Sequence, residues 1–325
     1  MAGLLSVDEA LARVLDRVGP LPPEGVPLER ASGRTLAEGA QAAIDLPRFP
    51  SSAMDGFALR AADTPGTLPV VARVAAGRPA PRPLGEGEGM GIATGGVVPD
   101  GADAVVPIEH ATEENGTVTV VESVVRGANI RPLGADVRAG ESVLRAGTLL
   151  TPPRIAALAA SGVAEPRCAR LPRIAIVTTG SELRPPGAAL GEGEIYESNG
   201  VMLASLLERH GIVLERETVA DDEAAHRDAL ARGLEADVLV TSGGVSVGPH
   251  DLVRRILAEL GAEEVFWGVA MRPGKPISFA ARGETLVFGL PGNPVSSLVG
   301  ALLFVVPALR ALQGASDAAP RFERA

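Results

Sequence analysis

The stretch Arg173-Ile-Ala-Ile-Val-Thr-Thr-Gly-Ser-Glu182 decides the fold of the second half of the chain. Its first part, Ile174 to Thr178, predicts a short apolar strand, and the glycine turn that follows it carries polar side chains. An unbroken apolar run of this length indicates a strand that is covered on both faces. We therefore expect it to belong to a sheet with helices on both sides.

Strand and helix patterns alternate after this stretch. The expected elements are a helix at 199–210, a strand at 213–219, a helix from 221 or 222, a strand at 237–241, a helix at 250–260, a strand at 265–269, a hairpin at 277–281 and 286–289, and a long helix after Pro294. Such alternation is typical of a parallel sheet between two layers of helices. The sequence thus predicts a three-layer αβα domain.

The first half of the chain has a different pattern. Ser6-Val-Asp-Glu9 is a capping box that opens an amphipathic helix, which Gly19-Pro20 is expected to end. Short β-like pieces follow, among them Thr117 to Val121 after the hairpin dipeptide Asn115-Gly116. The expected organisation is an α/β multidomain protein with a helical and extended linker domain at 1–40 and 137–170, an inserted β-rich module at 41–136, the αβα domain at 171–313 and a polar tail at 314–325.

Composition excludes several classes of function. The net charge is −10 and no cluster of basic residues is present, which argues against nucleic acid as a partner. Cys168 is the only cysteine, so an intrachain disulfide and a paired-cysteine zinc site are excluded, and a reducing, cytoplasmic compartment fits. The N-terminus has no basic stretch, and the longest apolar run, Leu298 to Val306, is shorter than the ~20 residues of a membrane span. We expect no signal peptide and no membrane span.

Four loops follow the expected strands, and each combines glycine with polar side chains. They are Thr179-Gly-Ser-Glu182, Thr241-Ser-Gly-Gly244 with its continuation to Asp251, Met271-Arg-Pro-Gly-Lys-Pro276, and Leu290-Pro-Gly-Asn-Pro294. Ligands of open α/β sheets bind beyond the carboxyl ends of the strands, so the loops could share one cleft. Ser242 to Gly248 resembles a phosphate-binding turn but fits neither the dinucleotide nor the Walker pattern, and a simple tight turn explains it equally well.

Several charged side chains in these loops have two readings. Glu182 and Asp251 suit Mg²⁺ beside a phosphate; alternatively, each of them only complements a helix dipole. Arg272 and Lys275, the only lysine, are either solvated loop charges or a grip on an oxyanion.

In the β-rich module, Asp55 and Thr94 stand at tight turns, where turn-capping roles explain both. Neither a zinc-protease histidine pattern nor a hydrolase triad is present.

Seven motifs in order carry a resemblance to a known family. They are Ser51-Ser-Ala-Met-Asp-Gly-Phe-Ala58, Thr94-Gly-Gly96, Thr179-Gly-Ser-Glu-Leu183, Ile195-Tyr-Glu-Ser-Asn199, Ser242-Gly-Gly-Val-Ser-Val-Gly248, Arg272-Pro-Gly-Lys-Pro276 and Gly289-Leu-Pro-Gly-Asn-Pro-Val-Ser296. Together they resemble the molybdopterin molybdenumtransferase family, called MoeA in bacteria and the E domain of gephyrin in animals. The resemblance runs from about residue 5 to 312.

The resemblance implies a Mg²⁺-dependent reaction in which adenylylated molybdopterin and molybdate give molybdenum cofactor and AMP. It also implies an elongated homodimer, an αβα domain that binds the pterin, and the sister molybdopterin adenylyltransferase as a partner. In such a dimer the partner's β-rich module would reach toward the cleft. Two other functions stay open: a molybdopterin-binding or carrier protein without turnover, and the adenylyltransferase activity itself.

The same resemblance assigns roles to individual positions. The acidic and hydroxyl residues of the family's catalytic site correspond to Asp55, Thr94, Asp136, Glu182, Asp221 and Asp251, with Glu182 and Asp251 as the metal ligands. The pterin, its phosphate and molybdate would meet Asn199, Ser242, Gly243, Gly244, Arg272, Lys275, Asn293 and Ser296, with molybdate at Arg272, Lys275 and Ser296.

The chain departs from the family pattern at three places. Gly268 stands where a basic residue is expected, and Pro132-Leu133 replaces an arginine-rich stretch. The chain ends at Ala325, where family members are expected to continue into a C-terminal β-domain. The first two departures reduce the positive charge available to bind anions.

Overall fold

The computed structural model describes residues 4–244 and 252–319. The chain forms two compact units. The first unit contains the described parts of 1–39, 144–155 and 165–325, and the second contains 40–143 and 156–164. The division expected from the sequence, with a separate linker domain, stays a prediction.

The helices and strands are numbered in chain order over the described residues. The helices are α1 Val7–Leu15, α2 Pro152–Ala160, α3 Asn199–Leu207, α4 Glu223–Gly233, α5 Leu252–Glu259, α6 Pro294–Gly300 and α7 Val306–Leu312, with a π-helical segment Ala301–Val305 between the last two and 3₁₀ turns at Leu28–Arg30, Ala61–Asp63 and Ile108–His110. The strands are β1 Pro23–Gly25, β2 Ala40–Gln41, β3 Ser51–Ser52, β4 Gly56–Leu59, β5 Gly66–Val74, β6 Gly89–Ile92, β7 Ala104–Pro107, β8 Thr112–Glu114, β9 Thr117–Val120, β10 Ile130–Arg131, β11 Ser142–Leu144, β12 Arg167–Ala169, β13 Arg173–Thr179, β14 Leu183–Arg184, β15 Ile195–Tyr196, β16 Ile212–Val219, β17 Val238–Ser242, β18 Glu263–Trp267, β19 Ser278–Arg282 and β20 Thr285–Leu290.

The first unit is built on a six-stranded sheet in the order β16-β13-β17-β20-β19-β18. The first four strands are parallel, and β19 is antiparallel to both of its neighbours. Along β13, Ile174 and Ile176 pack with α1, α3 and α7, whereas Ala175 and Val177 pack with α4 and α5. Because alternate side chains point to opposite faces, a strand between two helical layers must be apolar throughout. The αβα fold class is thus confirmed.

Two strand predictions need correction at the far edge of this sheet. The strand expected at 265–269 is β18, which spans Glu263–Trp267 and ends before Gly268. Gly268 has φ of +87°, a left-handed conformation that interrupts the strand and that a basic residue would adopt only with strain. The sheet is also mixed and not wholly parallel, because the expected hairpin β19–β20 inserts one antiparallel strand.

Helix α1 begins at the predicted capping box. The Ser6 hydroxyl accepts a hydrogen bond from the Glu9 amide at 3.2 Å, and the Glu9 carboxylate accepts one from the Ser6 amide at 2.8 Å. Ala10 and Val14 are fully buried against the sheet. The helix ends at Leu15, a turn earlier than the sequence pattern indicates.

The C-terminal helical stretch Pro294–Leu312 supplies much of the core. Of the described helices, this stretch is long and apolar enough to match a membrane span. However, 56% of its apolar segment is buried inside the protein. Phe304, Val305 and Leu309 are fully buried in the cluster that α1, α3 and the sheet share. The stretch is therefore a core helix of the αβα unit.

The second unit is a curled six-stranded sheet in the order β7-β4-β6-β5-β9-β8. It is antiparallel except for the β5–β6 pair. Phe57 and Leu59 of β4 enter one apolar cluster, and the intervening Ala58 enters the other. The hairpin dipeptide has positive φ at both residues, +50° at Asn115 and +79° at Gly116, as the predicted turn requires.

Candidate functional site

Three loops of the first unit begin side by side. The parallel register places Thr178 of β13 beside Ser242 of β17, and Ser242 beside Leu290 of β20. The loops that follow these strands therefore leave the same edge of the sheet, as expected for an open α/β fold. This arrangement collects residues that are more than a hundred positions apart in the sequence.

The Asn199 side chain connects two of these loops. It belongs to the first turn of α3, and its Nδ2 donates to the Ser242 hydroxyl at 2.9 Å and to the Gly292 carbonyl at 2.8 Å. Ser242 is buried, and its hydroxyl donates in turn to the Pro291 carbonyl at 3.2 Å. The Oδ1 of Asn199 is also buried, and no hydrogen bond joins it to another residue that the structure describes.

The loop after β17 requires its glycines. Gly243 and Gly244 have φ of +96° and +63°, and a Cβ on Gly243 would lie 2.7 Å from the Thr179 carbonyl oxygen. Only glycine fits such a left-handed position so close to another backbone. The remainder of this loop, including the predicted metal ligand Asp251, lies outside the described residues.

Two adjoining cavities open at these loops. The Asn199 cavity is lined by Thr178, Thr179, Glu182, Leu183, Ile195, Tyr196, Glu197, Ser198, Asn199, Ser242, Gly292 and Pro294. The glycine-loop cavity is lined by Thr179, Gly180, Glu182, Asp221, Gly243, Gly244, Pro276, Pro291 and Gly292. They share Thr179, Glu182 and Gly292. Six of the predicted site residues line one cavity or both, which makes this edge of the sheet the candidate site.

Asp221 is held in place by the loop after β13. Its amide donates to the Ser181 hydroxyl at 2.9 Å, and its carboxylate accepts from the Ser181 amide at 3.2 Å. Glu182, the next residue of that loop, is exposed and lines both cavities. The two carboxylates thus face one cavity from two different loops.

The two described carboxylates fit a Mg²⁺ ion that a substrate would help to hold. Mg²⁺ is usually bound by one or two carboxylates together with phosphate oxygens and water. Glu182 and Asp221 supply that number beside the glycine loop. No group of three or more potential metal ligands occurs within 4–244 and 252–319.

The loop after β18 carries exposed cations on an ordered backbone. The Lys275 carbonyl accepts hydrogen bonds from the Val269 and Ile277 amides, both at 3.0 Å. The side chains of Arg272 and Lys275 are exposed, and neither forms an ion pair with a residue that the structure describes. Pro276, adjacent to Lys275, lines the glycine-loop cavity. Two positive charges without an ion pair to any described residue therefore lie close in sequence to Pro276, although neither of them lines that cavity.

Asn293 and Ser296 form a helix cap. The Asn293 side-chain oxygen accepts from the Ser296 amide at 3.2 Å and lies 3.3 Å from the Ser296 hydroxyl, which closes the first turn of α6. Ser296 is buried, whereas Asn293 is exposed. This bonding gives both residues a structural role, and their predicted contact with the substrate stays a prediction.

In the second unit the structure brings Asp55 and Thr94 together. The Asp55 carboxylate accepts from the Thr94 amide at 2.7 Å and from its hydroxyl at 3.0 Å. These two hydrogen bonds, the backbone one first, lower the pKa of Asp55 below its usual value. Asp136 does not join them through any described hydrogen bond and is paired with Arg131.

Glu197 is a charged residue of the Asn199 cavity that the sequence did not identify as a site residue. Its side chain is only 4% exposed, and its carboxylate accepts from the Gly200 amide at 2.6 Å and from Arg216 at 3.2 Å. A carboxylate beside the free amides at a helix start is favourable. Its position two residues before the start of α3 is the pattern that could have identified it.

Two family models together match most of the chain. A family model for the MoeA N-terminal region, domains I and II, matches residues 5–162, and a model for a probable molybdopterin binding domain matches residues 175–311. The fold and the candidate site thus define a MoeA-like multidomain α/β protein.

Relatives extend this match over nearly the whole chain. The molybdopterin molybdenumtransferase of Haemophilus influenzae is 38% identical over 317 residues, which are 96% of this chain and 78% of that protein. That of Staphylococcus aureus strain Mu50 is 35% identical over 330 residues, with 99% and 79% covered. The crystal structure of the molybdopterin biosynthesis MoeA protein from Pyrococcus horikoshii OT3 has a TM-score of 0.83 at 34% identity, over 97% of this chain and 81% of that one. The chain belongs to the molybdopterin molybdenumtransferase family, which confirms the resemblance that the motifs indicate.

Proposed function

We propose that this chain is a transferase of molybdenum cofactor biosynthesis that inserts molybdate into adenylylated molybdopterin and releases AMP in a Mg²⁺-dependent reaction. The observation that carries the proposal is the pair of adjoining cavities at the strand ends. One offers hydrogen-bond acceptors around the half-buried Asn199 side chain, and the other combines a glycine loop with the carboxylates of Glu182 and Asp221. A ligand with a polar ring and a phosphate chain has matching groups for both. The names and sequence identity of the relatives support the same reaction.

The glycine loop is assigned to phosphate binding. Ser242 is the last residue of β17, and Gly243 and Gly244 bring backbone close to the cavity without side chains in the way. Backbone amides in such turns bind anions well, and they do so independently of the overall negative charge of the chain. We assign the pyrophosphate of the adenylylated substrate to this position.

Glu182 and Asp221 are assigned to the metal, and Asp251 remains a proposed ligand outside the described residues. Bound Mg²⁺ would neutralise charge on the phosphate oxygens as AMP departs. The reciprocal hydrogen bonds between Ser181 and Asp221 hold one carboxylate still, so little ordering is needed when substrate arrives.

Arg272 and Lys275 are assigned to molybdate. Both side chains are exposed and lack an ion pair with any described residue, so no described carboxylate competes with an incoming oxyanion. The ammonium of Lys275 is a compact charge with three donors, which suits a tetrahedral oxyanion. Ser296 is proposed to act in the same place through its buried hydroxyl, and Asn293 as its cap.

Asp55, Thr94 and Asp136 are proposed to contribute to the same reaction from the second unit. An aspartate with its ordinary pKa is already ionised at neutral pH, and the two hydrogen bonds from Thr94 lower the pKa of Asp55 further. A homodimer, a molybdopterin adenylyltransferase as the supplier of the adenylylated substrate, and a cytoplasmic location complete the proposal. The single cysteine, Cys168, is buried and unpaired, which fits a reducing compartment.

A single-turnover assay with adenylylated molybdopterin tests the proposal. AMP release is expected only when molybdate and Mg²⁺ are both present, and omission of either should leave the substrate bound and intact. A chain that binds the substrate but releases no AMP under any condition would be a carrier. Synthesis of adenylylated molybdopterin from ATP and molybdopterin would instead indicate the adenylyltransferase activity.

A further inference from the structure

A groove of about 530 Å³ opens in the second unit, between the end of β7 and the segment that follows β9. None of the residues assigned to the proposed reaction lines it. Its volume lies within the range of about 300–1,000 Å³ that is typical of ligand pockets. We call it the valine groove, because its lining includes Val105, Val106, Val120, Val121, Val124 and Val125.

Two of these valines are largely exposed to solvent. Strand β9 ends at Val120, and the chain beyond it is fixed by Val124, whose side chain packs against an apolar cluster of the unit and whose amide donates to the Thr64 hydroxyl at 3.0 Å. Val121 and Val125, on either side of Val124, are 78% and 75% exposed. Exposed apolar side chains that lie together beside polar ones are typical of an interaction site.

The groove is formed without a ligand. The Val105 amide donates to the Ala128 carbonyl at 2.9 Å, and the Val105 carbonyl accepts from Asn129 Nδ2 at 2.9 Å. The Ala128 amide in turn donates to the Val125 carbonyl at 3.1 Å, which joins the exposed wall to the buried floor. A preformed groove of this kind loses little entropy when it binds a ligand.

The rim of the groove is negatively charged. Glu109 and Glu122 line it, both are exposed, and neither forms an ion pair with a residue that the structure describes. None of its described lining residues is arginine or lysine, and the nearby Arg126 is paired with Asp103 at 3.5 Å. An apolar surface with an acidic rim is complementary to apolar side chains that stand next to cations.

A bound peptide would contact the groove through its side chains. Strand β7 cannot be extended by a further strand, because Pro107 has no amide hydrogen and both backbone groups of Val105 are already bonded. A second copy of this chain is also disfavoured. A two-fold contact centred on the groove would place its acidic rim against an identical acidic rim.

We propose that the valine groove binds a peptide segment of another protein in which leucine-like side chains stand next to arginine or lysine. The apolar side chains pack against the valines, and the cations pair with Glu109 and Glu122. This interaction surface is separate from the residues assigned to the proposed reaction, so the inference does not depend on that reaction.

Binding of three labelled peptides to the full chain, measured by fluorescence anisotropy, tests the inference. The first peptide alternates leucine and arginine, the second has glutamate in place of arginine, and the third has serine in place of leucine. The groove variants are the double substitution Val121→Ser with Val125→Ser, and Glu122→Gln. The matched controls are Val71→Ser and Glu114→Gln, which change exposed residues that do not line the groove.

The wild-type chain is expected to bind the leucine–arginine peptide about 10-fold or more tightly than either of the other two. The double valine variant should weaken this binding about 10-fold. Glu122→Gln should weaken it roughly threefold at low salt and reduce its dependence on salt. Both controls should stay within about twofold of wild type. Thermal unfolding verifies that each variant is folded.

Equal binding of the arginine and glutamate peptides would overturn the inference, and so would the absence of binding to the wild-type chain. An equal loss in the groove variants and in their controls would show that the peptide is attracted only to the negative charge of the chain. Sedimentation of each variant covers the remaining occupant. Conversion of a dimer to a monomer by the double valine variant would show that a second copy covers the groove, and would overturn the inference as well.

Discussion

The two units assemble their candidate site residues in different ways. In the first unit, parallel strands bring loops that are distant in the sequence to one edge, where Asn199, Ser242 and Gly292 are joined by hydrogen bonds. In the second unit, Asp55 and Thr94 meet through one local pair of hydrogen bonds between turns. The first arrangement joins the ends of three parallel strands, and the second joins the ends of one antiparallel pair, β4 and β6. A substitution in the first arrangement should therefore affect more residues than a substitution in the second.

Gly243→Ala is expected to have the largest effect. Its Cβ would lie 2.7 Å from the Thr179 carbonyl oxygen at a φ of +96°, so the loops after β13 and β17 must separate. A shift of about 1 Å in such a site typically costs ~100-fold in rate, and overpacking costs about 1–3 kcal/mol of stability. AMP release and thermal unfolding measure the two effects.

Gly261→Ala is the matched control for this substitution. Gly261 has a similar φ of +86°, but a Cβ there has no atom within 4 Å. Gly261→Ala should lose roughly 1 kcal/mol of stability, because alanine adopts the left-handed conformation less readily, and it should keep its activity. Equal activity loss in both variants would contradict the importance of the close approach between the loops.

Lys275→Met is expected to affect molybdate more than the pterin. Loss of a charge-assisted contact should raise the molybdate concentration needed for half-maximal AMP release by about 10-fold or more. Pterin affinity, measured with the phosphate ester of 6-hydroxymethylpterin, should change little, and Lys275→Arg should retain part of the molybdate response. An equal loss of both affinities would show that the assigned role is wrong.

Arg170→Met tests whether the sheet depends on an ion pair far from the loops. Arg170 makes two hydrogen bonds to Asp237, at 2.7 and 2.9 Å, and the Arg173 amide makes a third at 2.6 Å. Removing one partner of a fully buried pair costs about 3–5 kcal/mol. Because the Arg170 side chain is 34% exposed, we expect about 1–2 kcal/mol in denaturant unfolding.

The same pair predicts a pH dependence. Burial acts to raise the pKa of Asp237, but the hydrogen bonds from Arg170 and Arg173 outweigh it and lower the pKa below 3.8. The Asp237 contribution to stability is therefore complete above that pH and is lost as the pH falls through the lowered value. The difference in the free energy of unfolding between wild type and Arg170→Met should become smaller in that acidic range. A difference that stays constant with pH would contradict this prediction.

Thr94→Val should have the smallest and most local effect. The variant loses the hydroxyl hydrogen bond to Asp55 but keeps the backbone one, which is the larger cause of the lowered pKa. The pKa of Asp55 is thus expected to rise and still remain below its usual value, as followed by NMR titration of the carboxyl group. The chemical shifts of the first unit should not change. Widespread changes in that unit would contradict the view that the effect of Thr94→Val is local.

Much of this fold could be predicted because the decisive patterns are local. The capping box at Ser6, the hairpin dipeptide at Asn115 and the apolar run of β13 each indicate their own structure. The end of β18 could not be predicted, because it depends on the left-handed φ of Gly268 and on the neighbouring chain. Sequence patterns also could not show that Asn199 bonds to Gly292, since that contact joins residues 93 positions apart.

The most direct test of the proposed reaction is its stoichiometry in a single turnover. Adenylylated molybdopterin, molybdate and Mg²⁺ are mixed with the chain, and the AMP released and the molybdenum bound to the pterin product are measured together. The account predicts about one molybdenum per AMP, with the same time course. Release of AMP without molybdenum in the product, or bound substrate without AMP release, would contradict it.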